Sequence, residues 1–366
     1  MKCFFPNYDN SLTSVANSIL KEFKVPTFHN SLELLDNYLA KKDYKNIIII
    51  LYDGMGSNIL KRNLKEDSFL LKHKITDINS VFPATTTAAT TTLKTGLNPV
   101  EHGWLGWDLY FKNEDEIVTM FTNEIKDTNT LYSEDSLALK YYPYTSIFDL
   151  INKTNNKAIE ISHYSDNSYT DLEDMHNKII KISNEPGKKY IYAYYEEPDS
   201  TTHIKTSSSK EVKDIYENIN DLTEKLCNEL TDSLIIVTSD HGHITSTPIT
   251  LSDYPAIFNT LDKTTALEPR ACSFFIKKGQ FMKFEDLFQK YFSNDFILYR
   301  KSELIKDKVF GPGNKCENFK SSLGNYLAVA KGKRYFRYDQ SSADFKSMHA
   351  GITEEEMFIP LIIIEK

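Results

Sequence analysis

Residues 46–56 read NIIIILYDGMG. They begin with a short apolar run, residues 46–52, which Asp53 directly follows. A run of this kind, without polar alternation, is typical of a strand covered on both faces of a parallel sheet. The pattern returns in four later runs, at 158–162, 190–195, 233–238 and 357–364. Stretches with helical spacing lie between the runs or before them, as at 11–24 and 209–229. The sequence therefore predicts an α/β fold, with a mostly parallel central sheet and helices on both of its faces.

Two stretches interrupt this alternation. Residues 110–140 are acidic and polar, which predicts a surface excursion. Residues 244–345 separate two segments that bear candidate site residues, and they carry four of the five arginines. We predict a catalytic core made of residues 1–243 and 346–366, with residues 244–345 inserted as a cap subdomain.

The composition excludes several classes of protein. With 366 residues, of which 40% are hydrophobic and 13% aromatic, the chain has enough apolar surface for a globular core. Its 43 basic and 51 acidic residues give a net charge of −8, which argues against binding of polymeric nucleic acid or an anionic membrane. The four cysteines form no CxxC pair, and no apolar run approaches the roughly 20 residues of a membrane span. We expect a soluble, cytoplasmic protein.

Chemically versatile side chains follow the predicted strands. Ligands of parallel α/β sheets bind beyond the carboxyl ends of the strands. Aspartate and histidine residues stand at these ends or just before the last strand: Asp53, Asp199, His203, Asp240, His241, His243 and His349. A single such residue is most simply explained as a helix cap or a loop residue, but caps do not explain a set at four positions. Asp199 and His203 are four apart, so one helical turn directs both side chains the same way.

Carboxylate and imidazole groups together indicate a divalent metal, Zn²⁺ as first choice and Mn²⁺ as second. The residues can fill two sites. One would comprise Asp199, His203 and His349, and the other would comprise Asp53, Asp240 and His241. Three protein ligands per ion leave coordination positions open, as catalysis requires.

A candidate nucleophile lies in residues 81–96, VFPATTTAATTTLKTG, which contain seven threonines. The simplest explanation is a polar, β-branched strand or the start of a helix. The alternative is catalytic, because a threonine at a helix N-terminus beside a dication can ionise and attack phosphorus.

The order of motifs resembles the alkaline phosphatase superfamily, and more narrowly the type I phosphodiesterase and nucleotide pyrophosphatase family. The motifs are DGMG, FP with a Thr-rich turn, TGLNPVEHG, EPDSTTH, SDHG and HAG before the last strand, and they extend from residue 47 to residue 364. The resemblance implies an alkaline-phosphatase-like fold and a two-zinc hydrolase with a phospho-threonine intermediate. It implies Thr86 as the nucleophile, with Thr85 and Thr87 as close competitors. It adds Thr86 to the metal ligands, beside Asp53, Asp240 and His241.

Two positions depart from the family pattern. Nucleotidyl-transferring members usually have an Asn shortly after HG that binds a phosphoryl oxygen, and Trp107 stands there in HGWLGW. The usual DHGM is DHGH, so His243 is additional, with either a supporting role at the metals or a packing role. Trp104 and Trp107 are also the candidate substrate-binding residues, by stacking on a base or another leaving group.

The resemblance and the arginine distribution favour a small phosphodiester, pyrophosphate or nucleotide substrate. A monoester carries an extra negative charge that an arginine fork would match, and no arginine lies between Arg62 and Arg270. The alternatives are a phosphomonoesterase or phosphomutase of the same superfamily and, from another class, a catalytically silent protein that binds metal or nucleotide. A sulfatase is disfavoured because no Cys- or Ser-containing modification motif is visible.

Overall fold

The computed structural model describes residues 2–128 and 130–366. The helices are α1 (Leu12–Glu22), α2 (Glu33–Leu39), α3 (Ser57–Asn63), α4 (Phe69–Lys72), α5 (Thr86–Thr95), α6 (Pro99–His102), α7 (Leu137–Tyr141), α8 (Ile147–Asn152), α9 (Leu172–Asn184), α10 (Asp199–Ile204), α11 (Lys210–Glu229), α12 (Pro255–Phe258), α13 (Phe281–Phe292), α14 (Lys301–Lys306), α15 (Phe319–Ser322) and α16 (Glu354–Met357). Two 3₁₀ turns are Tyr8–Asn10 and Leu251–Asp253. Within the described residues, none of the helices has the length and apolarity to cross a bilayer.

The strands are β1 (Asn46–Tyr52), β2 (Lys74–Asn79), β3 (Asp108–Phe111), β4 (Glu116–Thr119), β5 (Glu124–Ile125), β6 (Thr130–Leu131), β7 (Lys157–Ile161), β8 (Lys189–Tyr195), β9 (Ser233–Thr238), β10 (Ile244–Thr245), β11 (Thr247–Thr250), β12 (Ala266–Leu267), β13 (Ala271–Phe274), β14 (Phe296–Arg300), β15 (Tyr326–Ala330), β16 (Arg334–Arg337), β17 (Ser347–Met348) and β18 (Phe358–Glu365).

The central sheet has six strands in the order β2-β18-β9-β1-β8-β7. Strand β1 pairs parallel with both β8 and β9, and β7 pairs parallel with β8. Strand β18 runs antiparallel between β9 and β2. The predicted parallel arrangement thus describes β9, β1, β8 and β7, while the sheet as a whole is mixed. The fold is α/β.

Helices cover both faces of this sheet. Strand β1 is buried along its whole length, and its side chains alternate between two apolar cores. Ile47 and Ile49 pack in a core with α1, α2, α5 and α8. Ile48 and Ile50 pack in the core on the opposite face, with α3, α9 and α11. The unbroken isoleucine run is explained by this double burial, because neither face of the strand meets water.

A second sheet is antiparallel, in the order β14-β15-β13-β12-β3-β4-β5-β6. It corrects the expectation that residues 110–140 are a surface excursion, since Phe111 and Val118 are buried in an apolar core. Strand β12 pairs with β3 through Leu267 and Asp108. Part of the predicted insertion 244–345 therefore shares a sheet with residues assigned to the core. The proposed domain boundaries remain a prediction.

Candidate metal centre

The sheet gathers the predicted aspartates and histidines at one edge. Asp53 directly follows β1, while Asp240 and His241 come one residue after the end of β9. Asp199 is the first residue of α10, which comes shortly after β8. Because β1 lies between β8 and β9 in a parallel arrangement, the carboxyl ends of the three strands meet. Their ligand atoms form compact groups, within 4.8 Å of one another in each: Asp199, His203 and His349; Asp53, Asp240 and His241; and Asp199, His241 and His243.

The predicted set of Asp53, Asp240 and His241 is arranged around the side chain of His241. His241 Nε2 lies 3.3 Å from Asp53 Oδ1 and 3.5 Å from Asp240 Oδ2. Thr86 Oγ1 lies 3.2 Å from Asp53 Oδ2 and 3.3 Å from His241 Nε2. The hydroxyl of Thr85 instead donates to Glu268, and Thr87 Oγ1 is buried without a partner among the described residues. Of the three adjacent threonines, Thr86 is the one that contacts the cluster.

In the predicted set of Asp199, His203 and His349, a backbone carbonyl orients each of the two histidine rings. His203 Nδ1 lies 2.9 Å from the carbonyl oxygen of Ser347, and His349 Nδ1 lies 3.2 Å from that of Ala84. Each contact leaves Nε2 as the ring nitrogen available to a ligand, which is the usual arrangement of metal-binding histidines. His203 Nε2 lies 3.5 Å from Asp199 Oδ1. The His241 and His349 rings stack at a centroid distance of 3.8 Å, so the two sets are contiguous.

The buried carboxylates fit a bound cation. Asp53 Oδ1 and Asp240 Oδ2 are buried and have no hydrogen-bond partner among the residues described. A buried, unpartnered carboxylate oxygen is costly unless a cation satisfies it. Burial, followed by the charges of Asp240 and Asp199, raises the pKa of Asp53 well above its usual value. The set therefore lacks positive charge, which one or more divalent ions would supply.

His243 lies at the centre of the cluster. It is fully buried, and its Nε2 forms a short hydrogen bond with Asp199 Oδ1. Its ring lies 4.8 Å from that of His203, and its Nδ1 has no partner in the described part of the chain. Burial lowers the pKa of His243 to about 4. The residue thus contacts a predicted ligand, which favours the supporting role over packing alone.

Glycine allows the loop after β9 to lie close to the chain that precedes β18. A Cβ atom on Gly242 would stand 2.1 Å from the carbonyl oxygen of Glu355. Any side chain at this position would push the loop away and displace its neighbour His241. The requirement explains the glycine of the DHG motif in physical terms.

Two cavities meet at Thr86, Trp107 and Asp199. The first, of about 350 Å³, includes His203 and His349 in its wall. The second, of about 300 Å³, includes Asp53 and Tyr194. Tyr194 donates a short hydrogen bond to Asp53, a contact that the sequence analysis did not anticipate. The only signal in the sequence was its position near the end of a predicted strand, two residues before the polar EEPD segment.

The two tryptophans have different surroundings. Trp107 is 45% exposed and lines both cavities. Trp104 is 5% exposed, its indole N–H donates to the carbonyl oxygen of Tyr142, and it packs edge-on against Tyr144. Trp104 lines neither cavity, so of the two candidate substrate-binding residues only Trp107 is placed to contact a substrate.

Few cations reach the cavities. Arg337 and Lys126 line the first cavity; Arg337 donates to Thr250 and Gln340, and Lys126 is paired with Asp108 at 3.0 Å. Lys94 lines the second cavity and is paired with Glu160 at 2.6 Å. Arg270 is buried away from the nucleophile in a pair with Glu356. Neither cavity therefore presents an arginine fork at Thr86.

Comparison with known proteins identifies a family and supports the fold. The model of the family described as type I phosphodiesterase / nucleotide pyrophosphatase matches residues 47–285. No curated protein matches the sequence. Among solved structures, murine ectonucleotide pyrophosphatase / phosphodiesterase 5 superposes with a TM-score of 0.68 and 19% identity, covering 87% of this chain and 88% of that one. An inactive variant of the murine protein was solved in complex with AMP. Phosphonoacetate hydrolase from Sinorhizobium meliloti 1021 superposes with a TM-score of 0.64 and 14% identity, covering 87% and 90%.

Proposed function

The chain belongs to the type I phosphodiesterase / nucleotide pyrophosphatase family and is a phosphoric ester hydrolase, and from this premise we propose that it cleaves phosphodiester or pyrophosphate bonds through a phospho-threonine intermediate at Thr86. The observation that carries the proposal is the position of the Thr86 hydroxyl. It contacts both Asp53 and His241, at the point where the two cavities meet. The substrate class is a small phosphodiester or nucleotide.

Two divalent ions complete this proposal, with Zn²⁺ as first choice and Mn²⁺ as second. Asp53, Asp240, His241 and Thr86 would hold one ion, and Asp199, His203 and His349 would hold the other. When bound, such ions supply the positive charge that stabilises the transferring phosphoryl group and promotes ionisation of the nucleophile. The orphaned oxygens of Asp53 and Asp240 support this assignment.

The chain's own residues orient the first chemical step. Asp53 Oδ2 accepts a hydrogen bond from Thr86 Oγ1, which fixes the direction of the attacking oxygen. Thr86 is also the first residue of α5, where unpaired backbone N–H groups favour negative charge. Attack forms the Thr86 Oγ1–phosphorus bond as the hydroxyl proton passes to solvent, and it breaks the bond to the leaving oxygen, which takes up a proton from solvent. Water then cleaves the phospho-threonine and restores the hydroxyl.

A diester or pyrophosphate is favoured over a monoester. A monoester would place an additional negative charge beside Thr86, where Asp53, Asp199 and Asp240 already contribute three carboxylates. Arg337 is the arginine in the wall of the first cavity, and its Nε and Nη2 atoms are engaged by Thr250 and Gln340. A phosphomonoesterase or phosphomutase remains the second candidate, because Arg337 can exchange these neutral partners for a substrate.

A substrate panel tests the assignment. Zinc-supplemented protein is assayed with an aryl phosphomonoester, an aryl phosphodiester, a dinucleotide and a nucleoside triphosphate. We expect kcat/KM for the aryl diester to exceed that for the aryl monoester by at least tenfold. The reverse order would support the monoesterase. Bound metal with no hydrolysis of any compound would support the silent binding protein.

Trp107 is expected to recognise a nucleobase. Its half-exposed indole lies between the two cavities, where a base can stack on it. Stacking of one base contributes about 1–3 kcal/mol. Trp107→Ala should therefore lower kcat/KM for a dinucleotide by about 5- to 150-fold while changing that for a small aryl diester less. Equal losses on the two substrates would contradict base stacking.

Cytoplasmic location and the cap subdomain 244–345 stay predictions. The four widely spaced cysteines, without a CxxC pair, support the first. Lining residues of the first cavity that come from the inserted segment, among them Tyr335, Arg337 and Phe345, support the second.

A further inference from the structure

A buried carboxyl group stands beside Thr86 without a role in the two-metal chemistry. Glu268 lies between β12 and β13 and is 5% exposed. It lines the first cavity together with Thr86 and Trp107. Among the described residues it belongs to none of the candidate metal groups. A buried carboxyl group in a cavity wall calls for a chemical explanation, because burial of an unpaired charge is costly.

The hydrogen bonds of Glu268 converge on one of its oxygens. The hydroxyl of Thr85 donates to Oε1 over 2.6 Å, and the backbone N–H of Trp107 donates to the same oxygen over 2.7 Å. Oε2 makes no hydrogen bond with any residue that the structure describes. An oxygen that accepts two hydrogen bonds is the natural carbonyl oxygen of a protonated carboxyl group, so the proton belongs on Oε2.

The surroundings of Glu268 favour this protonated form. Burial raises its pKa to about 8, although the hydrogen bonds from Thr85 and Trp107 oppose the shift. Asp108 raises the pKa further, and Lys126 lowers it. The other titratable or charged groups that line the cavity are Asp127, Asp199, His203, Tyr335, Arg337, Tyr338 and His349. The raised pKa of Glu268 therefore favours its neutral acid form at pH 7.

Both partners of Glu268 place it close to the reacting group. Thr85 directly precedes the proposed nucleophile, and its hydroxyl is turned to Glu268 rather than capping α5. Trp107 stands where a side-chain amide was expected from the family pattern, and it offers its backbone N–H to Glu268 instead. The site thus lacks the expected amide donor and contains a carboxylic acid whose Oε2 is unengaged.

We propose that Glu268 is a catalytic residue that donates a hydrogen bond from Oε2 to a phosphoryl oxygen of the substrate at Thr86. The inference rests on the proposed function, because it needs a phosphoryl group bound there. A neutral acid is the suitable state for this task, since a carboxylate would repel the phosphoryl oxygens and could only accept hydrogen bonds. Donors of this kind stabilise developing negative charge, and loss of one typically lowers the rate by about 10²- to 10³-fold.

Two variants of Glu268 separate the donor role from packing. Glu268→Gln keeps an acceptor for Thr85 and Trp107 and places an N–H donor where Oε2 was. Glu268→Leu has a similar volume and removes both functions. In zinc-supplemented protein we expect Glu268→Gln to retain kcat/KM within about tenfold and Glu268→Leu to lose about 10²- to 10³-fold. Inorganic phosphate should bind more weakly to Glu268→Leu, with metal content unchanged in both variants.

The pH dependence of kcat/KM distinguishes the donor role from a packing role, because a packing role does not depend on the protonation of Glu268. The donor is present below the pKa of Glu268, about 8, and is lost as the pH rises through it. Wild-type kcat/KM should therefore fall above pH 8, and Glu268→Gln should lack this alkaline fall. The comparison of wild type with Glu268→Gln tests the donor role even if Glu268→Leu does not fold.

Three results overturn the inference. One is an alkaline fall of the same size in Glu268→Gln, another is Glu268→Leu activity within threefold of wild type, and a third is equal loss in both variants. Each leaves the proposed function intact, because the wild-type protein remains active. A wild-type protein without activity on any compound of the substrate panel would instead remove the proposed function, and the inference with it.

Discussion

Replacing Thr86 by alanine is expected to lower kcat on an aryl phosphodiester by at least about 10³-fold, the scale on which enzymes lose activity with their nucleophile. The hydroxyl of Thr86 contacts Asp53 and His241, and alanine removes this hydroxyl together with the γ-methyl group. Metal content should stay close to that of wild type, because the carboxylate and imidazole ligands remain. Steady-state kinetics with metal analysis of the same samples checks both expectations.

The neighbouring threonines provide matched controls. Thr86→Ser keeps a hydroxyl and should retain measurable turnover. Thr91→Ala removes a buried hydroxyl from the same helix, away from the cluster, and should retain wild-type kcat. Thr87→Ala tests the competing assignment. A loss in Thr87→Ala with an active Thr86→Ala would move the nucleophile by one residue and contradict the geometry.

Substituting Asp53 by asparagine is expected to weaken metal binding without lowering the stability of the metal-free protein. In wild type, a divalent ion at 100 times its dissociation constant should stabilise the folded state by about 2.7 kcal/mol. Asp53→Asn removes one ligand charge and should lose most of this stabilisation. Thermal unfolding with and without a chelator measures the difference.

In the absence of metal, the Asp53→Asn substitution should not reduce the stability of the protein. Asn can keep an acceptor for Thr86 and Tyr194 while removing a buried negative charge beside Asp240. After chelation, Asp53→Asn should therefore be at least as stable as chelated wild type. A chelated variant much less stable than chelated wild type would mean that Asp53 has a structural role instead. Equal metal-induced shifts in the two proteins would exclude Asp53 as a ligand.

The strands of the central sheet were predictable because their burial leaves a simple pattern. The run at 46–52 coincides with β1, and the runs at 190–195 and 233–238 match β8 and β9 within one residue. A strand that faces an apolar core on both sides shows no alternation of polar and apolar residues, so its isoleucine run is easily recognised in the sequence. The position of the Asp and His residues after these strands then follows from the parallel arrangement, which brings the carboxyl ends to one edge.

The second sheet was not predictable from the same signals. Its strands are short, as in β5 and β12, and they pair segments that are far apart in the chain, such as Asp108 and Leu267. The burial of β3 alternates, but this pattern was not apparent in the sequence because the charged stretch 112–116 directly follows the strand. Strand pairing over such a distance depends on tertiary packing, which short local patterns do not encode.

Residues that complete the site also depend on tertiary contacts. Glu268 is separated by 183 positions from Thr85, its hydrogen-bond partner, and nothing in its local sequence distinguishes it from a surface glutamate. Trp104 and Trp107 share one motif, but only packing places one in the core and the other at the cavities. The metal-binding type of side chain was predictable from the sequence, whereas the residues that support the site could be identified only from the folded structure.

Metal content is the most direct test of the two-metal centre. The measurement is elemental analysis of purified, zinc-supplemented protein after removal of loosely bound ions, expressed per chain. We expect two divalent ions per wild-type chain and about one in His203→Ala, because this substitution removes a ligand from only one set. One ion or fewer per wild-type chain would contradict the two-metal assignment on which the proposed chemistry rests.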